Sequence, residues 1–411
     1  MNNYESPRWT AEIADCSMPM TFDQYSMCGF GCRYCFSQFQ RAIGKSKESY
    51  IGGNLKAVDP DKIIAMFRGQ TETQFSEFIA KRKFVQWGGL SDPFCTIEKR
   101  HGVGLKILRA LREMEYPVSF STKGTWWAYD ERYAELFRGA KNWHVKVSII
   151  TPDPVMARAI ELRVPSPASR LRLIEKLAGF GLTGVTLRLR PFIPGISSTG
   201  YRDLIRAAGA AGADSVSTEF FCLETRSKTM QEQLREMRRV TGFHLGKFYR
   251  DNSRGAGYLR LNREYKRQYI EGMEAAAQEA GMRFYVSDAH FKEKCHNGSC
   301  CGLPAGANYS RGQFCEALMV AKKTGKVAWE DIEGDLAYAK RFKWRSAAGY
   351  NTRSTLAGAQ FWHHSMYDYV RWLWNNPKAG QSPYTMFGGI LRPLKLDPAG
   401  NVVYGYDKTK E

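Results

Sequence analysis

Residues Met20–Phe36 read MTFDQYSMCGFGCRYCF. A strand-like stretch, MTFDQYSM, runs into a loop carrying Cys28, Cys32 and Cys35 in a CxxxCxxC spacing, with Gly29 and Gly31 between them. Three thiols cannot form one disulfide without leaving one over, and they fall one short of the four ligands of a closed structural zinc site. They suit three corners of a [4Fe-4S] cube whose fourth iron stays open for a small molecule. The two glycines let the backbone curl around such a group. The rival readings are a zinc knuckle or a chance spacing.

Downstream, strand-like and helix-like stretches alternate. FVQWGG (Phe84–Gly89), VSFSTKG (Val118–Gly124), HVKVSII (His144–Ile150), VTLRLRPF (Val185–Phe192) and DSVSTEFF (Asp214–Phe221) read as strands. Amphipathic stretches such as GVGLKILRALREM, SRLRLIEKLAGFG and YRDLIRAAGAAG lie between them. Repeated βα units with short loops predict a parallel sheet, as a barrel or a doubly wound sheet. In a barrel the chemistry collects at the C-terminal strand ends. The rhythm changes near residue 225: two basic helical stretches come first, then FYVSD, then a cysteine-rich loop. LAGAQFWHHSMYDYVRWLW (Leu356–Trp374) is read as one helix with its apolar stripe on a core, in preference to an aromatic platform for bases.

The 411 residues, 43% hydrophobic, suffice for a large core. No run of eighteen apolar residues occurs, so no membrane partner is expected, and the first twenty residues do not read as a signal peptide. The expectation is a cytoplasmic protein (the host cytoplasm if it is viral) whose ten cysteines are metal ligands or buried thiols rather than disulfides. The net charge of +19 calls for a polyanionic partner, nucleic acid first. Between Arg226 and Ile270 twelve Lys/Arg stand against four Asp/Glu, which is also the pattern of a solvated basic helical face.

The cysteine loop with Phe36 after it resembles the radical S-adenosylmethionine (SAM) superfamily. There the open iron chelates SAM, and an electron, from a donor such as flavodoxin or ferredoxin, releases a 5′-deoxyadenosyl radical that takes hydrogen from substrate. The resemblance implies a partial (β/α)6 barrel over residues 1–225, followed by an α-rich, cysteine-containing extension over 226–411. It also implies SAM contacts at Trp87, Gly88, Gly89, Ser91, Lys123, Ser148, Arg188 and Arg190, with Lys123 pairing the SAM carboxylate. SDPFCTIEKR (Ser91–Arg100) and the following STKG are similar to the spore photoproduct lyase branch, which acts on a thymine dimer in DNA. One departure matters. The cysteine that these lyases carry two residues before the Ser-Asp pair is here Gly89; Cys95 is the candidate substitute and Asp92 a candidate for orienting substrate or SAM. The departure favours a relative that modifies or isomerises a thymine-derived base, as in viral thymidine hypermodification, over a repair lyase. A non-catalytic nucleic-acid-binding iron–sulfur protein is the third reading, and a radical enzyme on RNA or a small molecule the fourth.

Cys295, Cys300, Cys301 and Cys315 fall within twenty-one residues, near His296. They predict a second metal site, iron–sulfur or zinc, although adjacent Cys300 and Cys301 do not converge easily on one ion. Loose buried thiols are the alternative. Cys16 and Cys222 are read as core. Glu161 is read either as a SAM ribose contact or as an exposed acid. The other histidines show no metal spacing.

Overall fold

The computed structural model describes residues 4–10, 14–37, 54–225, 227–254, 258–336, 355–356, 359–360 and 365–410. One eight-stranded sheet organises it. In chain order the strands are β1 (Arg8–Trp9), β2 (Met20–Phe22), β3 (Val85–Trp87), β4 (Val118–Thr122), β5 (Trp143–Ser148), β6 (Gly184–Phe192), β7 (Ser215–Phe220) and β8 (Arg283–Val286). They lie in that same order across the sheet. β1 is an antiparallel edge on β2, and every later neighbour is parallel. The fold is mixed α/β with a largely parallel central sheet.

Period-two alternation divides the sheet into two faces. Phe22, Val85, Trp87, Phe120, Val145, Val147, Leu187, Leu189 and Val216 join one hydrophobic core. The helices Val103–Glu113, Glu131–Phe137, Pro167–Ala178, Tyr201–Ala210 and Arg263–Glu279 bury their apolar stripes in it. The other face is polar from strand to strand: Gln86, Ser119 and Ser121, Lys146 and Ser148, Thr186 and Arg188, Ser215 and Ser217. A buried face this polar must be hydrogen-bonded. Ser119 Oγ lies 2.8 Å from His144 Nδ1, His144 Nε2 lies 2.7 Å from Thr186 Oγ1, and Thr186 Oγ1 lies 2.7 Å from Ser215 Oγ. Gly302, at φ +89°, closes over this row; a Cβ there would stand 2.4 Å from Thr186 Oγ1. The loop that follows Cys300 and Cys301 therefore plugs one end of the polar face.

The structure alters four expectations. The parallel run has seven strands, not six, because FYV of FYVSD pairs along β7. The sheet and its core accordingly pass the boundary drawn at residue 225, with helix Arg263–Glu279 as the crossover to β8. The α-rich extension also carries strands that the sequence reading did not place: Lys326–Val327, Val402–Tyr406 and Leu391–Leu396 form an antiparallel sheet over a second core built on Phe314, Trp329, Val370 and Trp374. Leu391–Leu396 is an edge strand exposed over most of its length and interrupted by Pro393, so its sequence carries no alternation. Leu356–Trp374 is not one helix. Thr355–Leu356 pairs with Ala359–Gln360, and the helix is Met366–Asn375, started by a capping box of Ser365 and Asp368. Its Tyr367, Tyr369 and Trp374 are buried in the second core, as a core-packing stripe requires. His363 and His364 lie outside the described residues.

Candidate active site

The C-terminal ends of the parallel strands open into a cavity of about 360 Å³, within the range of small-molecule sites. Its walls are best followed from β2. Asp23, the next residue, is fully buried and holds the loop after β3. Its carboxylate accepts Leu90 N–H at 2.9 Å, Ser91 N–H at 2.8 Å and Ser91 Oγ–H at 3.0 Å, and pairs with Arg8 at 2.7 Å. Gly88 needs its glycine. Its φ is +95°, and a Cβ would stand 2.7 Å from the Ser121 carbonyl oxygen. A Cβ at Gly89 would stand 2.8 Å from the Arg8 guanidinium, so that guanidinium takes the space in front of this residue.

Asp92 ties this loop to β4. One oxygen accepts Phe94 N–H at 2.9 Å and Thr122 Oγ–H at 2.8 Å; the other accepts Lys123 N–H at 2.5 Å. Burial pushes its carboxyl up from the usual range, against those bonds. Asp92 lines the cavity, yet both oxygens are engaged by the chain.

Cys28, Cys32 and Cys35 line the same cavity. Gly31 adopts φ +65°, and Gly29 packs so closely on Thr96 that a Cβ would meet its hydroxyl at 2.5 Å. The loop is fastened below by Glu161, which bonds the Tyr34 hydroxyl, pairs with buried Arg170 at 2.5 Å and bridges to Cys32 through its backbone. Burial pushes the Cys32 and Cys35 thiols up, and the Lys123 ammonium opposes the rise at both. A hydrogen bond with Cys95, then burial, push Cys28 up. Among the described residues no three His, Cys, Asp or Glu side chains converge as a single ion requires. A cubane takes each thiolate on a different iron and so needs them apart. Three cavity-facing thiols beside a lysine fit that group.

The far wall comes from β5, β6 and β7. Ser148, Arg188, Arg190, Ser217 and Glu219 line it, and Arg190 pairs with Glu219. Lys146 stands lower on β5, 2% exposed, with its ammonium on the Gln86 amide oxygen. Burial brings its amine down to about 8. Lys292, paired with Asp15, and the thiols of Cys16, Cys222, Cys300 and Cys301 complete the lining.

Of the sequence-derived residues, Gly88, Gly89, Ser91, Asp92, Lys123, Ser148, Arg188 and Arg190 come together here with the three loop cysteines. Trp87 does not. Alternation along β3 sends Gln86 to the cavity and Trp87 to the opposite face, between Phe22 and Phe120. Cys95 does not line the cavity either; it is fully buried behind Cys28, as the residue that starts helix Thr96–His101. Glu161 is neither a cavity residue nor exposed: it is 2% exposed in its pair with Arg170. Cys16 and Cys222 are half-buried cavity residues rather than core. The second cysteine group separates into pairs. Cys300 and Cys301 have sulfurs 4.0 Å apart, Cys315 hydrogen-bonds Cys295, and His296 is exposed. Reading the sequence missed Asp23, Gln86, Lys146 and Arg8. The alternation in HVKVS and VQW was the signal for Lys146 and Gln86; nothing local marks Asp23 or Arg8.

Two solved structures share this fold. A cysteine-to-serine variant of spore photoproduct lyase superposes with a TM-score of 0.51 at 16% identity, covering 69% of this chain and 80% of that one. A tyrosine-to-phenylalanine variant of the same enzyme gives 0.50 at 17% identity with the same coverage. The likeness is one of fold. In sequence the chain is similar to uncharacterised proteins of Mycobacterium bovis and Mycobacterium tuberculosis, 27% identical over 217 residues, 51% of this chain and 60% of theirs. It thus spans about three fifths of the length of the curated relatives it matches. No protein-family model matches it.

Proposed function

We propose that this chain is a radical SAM enzyme that acts on a thymine-derived base in DNA and rearranges or modifies it. The observation that carries the reading is the meeting, in one cavity at the strand ends, of the CxxxCxxC thiols, the Gly88–Ser91 loop and Lys123. Cys28, Cys32 and Cys35 would hold a [4Fe-4S] cluster; the Gly88–Ser91 backbone, Lys123 and Ser148 would hold SAM, the Lys123 ammonium facing its carboxylate. When bound, cluster and SAM supply one-electron chemistry able to remove a hydrogen atom from an unreactive carbon. The chain's own part is to position and to exclude water. Asp23 and Asp92 fix the SAM loop against β4, Glu161 and Arg170 fix the cysteine loop against β5, and the polar sheet face receives the base.

DNA as the substrate is supported by charge. Helix Lys228–Thr241 touches the cysteine loop through an Arg33–Glu236 pair at 3.2 Å and exposes Lys228, Arg235, Arg238 and Arg239. A base must leave the stack to enter the cavity, and a basic flank holds the strand while it does. No helix among the described residues is long and apolar enough to cross a membrane; cytoplasmic location and supply of electrons by flavodoxin or ferredoxin belong to the same proposal.

Rearrangement is favoured over repair because Gly89 supplies no thiol and Cys95 is buried against Cys28 and does not line the cavity. One observation favours the repair-type alternative: Cys16, Cys300 and Cys301 do line the cavity, so a hydrogen-donating thiol is available from another segment. The deciding experiment is anaerobic. Reconstituted protein, reductant and SAM are incubated with duplex DNA that is unmodified, thymine-modified or UV-irradiated; 5′-deoxyadenosine and digested nucleosides are quantified. A nucleoside of unchanged mass and shifted retention indicates isomerisation, and restored thymidine indicates repair. If 5′-deoxyadenosine from protein whose cluster is confirmed does not exceed that of a Cys28→Ala control, the radical reading falls and a nucleic-acid-binding iron–sulfur protein is left.

A further inference from the structure

The cysteine loop has two sides, and only the inner one belongs to the cavity. Along the outer side runs the segment that follows helix Pro154–Ile160. Arg33 N–H donates to the Ile160 carbonyl at 2.9 Å, Arg163 N–H to the Phe30 carbonyl at 3.1 Å, and Cys32 bridges Glu161. Two guanidinium groups tighten the seam: Arg33 donates to the Ala159 carbonyl at 3.0 Å and Arg163 to the Gly29 carbonyl at 3.2 Å. The outer surface is thus fixed to the loop by main-chain bonds.

That surface shows two aliphatic side chains to water. Val155, in the first turn of the helix, is 77% exposed, and Leu162, just past its end, is 49% exposed. Single exposed aliphatic residues need no explanation. This pair lies on the loop itself: Leu162 Cδ1 stands 3.9 Å from the place of a Gly31 Cβ, and Gly31 is exposed. A glycine one residue before Cys32 lets a partner come close to the backbone there. The rim is basic. Arg158 and Arg163 are exposed, and neither has a carboxylate partner among the described residues. The helix carries no acid of its own, and Asp153, which caps it, accepts the Val155 and Met156 N–H groups.

An aliphatic centre with a charged rim is the anatomy of a protein interface, and this rim calls for an acidic partner. A phosphate backbone would have no use for Val155 and Leu162. The patch is small, as in the transient encounters of electron-transfer proteins. Its position supplies the reason: the cavity side of the loop is taken by SAM and the base, so an electron reaches the cysteines most directly from outside.

We propose that Val155, Arg158, Leu162 and Arg163, around exposed Gly31, form the docking surface for an acidic one-electron carrier protein of the flavodoxin type. This rests on the loop holding the cluster of the proposed function. The anionic flavin hydroquinone gives one electron and becomes the neutral semiquinone; the oxidised cluster takes that electron, and no proton or bond is exchanged.

The test needs neither SAM nor substrate. An acidic flavodoxin is titrated calorimetrically, oxidised, into the reconstituted full chain at low ionic strength. Reduced to the hydroquinone, it is then mixed anaerobically with the same protein while the bleaching of cluster absorbance is followed. The wild type is expected to bind it saturably and to be reduced at a rate that falls with salt. Val155→Asp, at a largely exposed position, and Arg158→Glu should each weaken binding and slow this reduction by about tenfold, the second also flattening the salt dependence. Reduction by dithionite and affinity for duplex DNA should not change. Leu162→Asp serves if either variant misfolds. The proposal is overturned if the wild type does not bind flavodoxin, or if the variants bind and are reduced as the wild type is. It is overturned too if DNA affinity falls in parallel, which would give the patch to nucleic acid. Absence of 5′-deoxyadenosine after dithionite reduction would instead refute the proposed function and leave the docking result standing.

Discussion

Asp23 is where a single change should do most harm to the site at least cost in chemistry. Asp23→Ala removes the acceptor of the Leu90 and Ser91 N–H groups, of the Ser91 hydroxyl and of one Arg8 N–H. Asp23 is fully buried, while the Arg8 side chain is 31% exposed. Arg8 can therefore turn to water, and the expense falls on the loop. Buried donors left unsatisfied cost about 1–3 kcal/mol each, with partial relief where water enters, so a loss of roughly 3 kcal/mol in stability is expected. Asp23→Asn is not a mild control, because an NH2 group would meet the Leu90 N–H or the Arg8 guanidinium donor to donor. It should cost about 1–2 kcal/mol.

The functional consequence is larger in proportion. With the clamp gone, residues 88–91 must be fixed again when SAM binds, at about 1–2 kcal/mol per residue. Two loosened residues already imply a fall in SAM affinity of at least about tenfold. Equilibrium dialysis of SAM against reconstituted Asp23→Ala, at a temperature where circular dichroism shows it folded, measures this. Iron content should stay at the wild-type value, since the cysteine loop is held separately through Glu161 and Arg170. Wild-type SAM affinity in a folded, iron-replete Asp23→Ala protein would refute the idea that this carboxylate builds the site.

Gly88→Ala should be far worse than Gly89→Ala. The first forces a side chain onto positive φ and against a backbone carbonyl, the second against the tip of the long Arg8 side chain and, less closely, the Thr21 side chain; SAM dialysis and thermal melts of the pair should separate them by about 2 kcal/mol or more. His144 is fully buried, and burial holds its imidazole well below the usual range. The unfolded chain then binds a proton first as pH falls below about 6.5. His144 should contribute a drop of about 1.4 kcal/mol per pH unit in that window, read from urea midpoints, and the slope should be shallower by that amount in His144→Gln. Replacing Arg235, Arg238 and Arg239 by Gln should weaken DNA binding without changing SAM affinity. The slope of log affinity against log salt should become shallower by about 0.9 for each phosphate the variant no longer neutralises, measured by anisotropy across a salt series.

The parallel sheet was legible because its strands alternate: HVKVS and VTLRLR place apolar residues toward helices and polar residues toward the cavity, and that pattern is local. The three loop cysteines and their glycines were legible for the same reason. β8 was harder. FYV is a short apolar run after three helices, and only pairing with β7 makes it a sheet strand. Trp87 was misplaced because the strand end was taken as a unit, when one residue of shift along β3 changes the face. Asp23 and Arg8 were invisible for a different reason. Their partners at Leu90 and Ser91 lie 67 and 68 residues from Asp23 in the chain, and no local pattern encodes a contact at that separation.

The departure at Gly89 acquires a physical cause from the edge strand. β1 is only two residues long, but it carries Arg8 to a point where the guanidinium bonds Asp23 and faces Gly89. A thiol at position 89 would have to displace that guanidinium, and Thr21 Cβ would lie 3.2 Å from the new Cβ. Absence of the thiol and recruitment of Arg8 are therefore one arrangement, in which the charge that clamps the SAM loop occupies the volume a hydrogen donor would need. The other thiols that reach the cavity come instead from Cys16, from Cys222 after β7, and from the loop of Cys300 and Cys301, where Cys301 stands beside Lys146. The cavity thus has one wall without thiols beyond the three loop cysteines and a floor that has both thiols and cations.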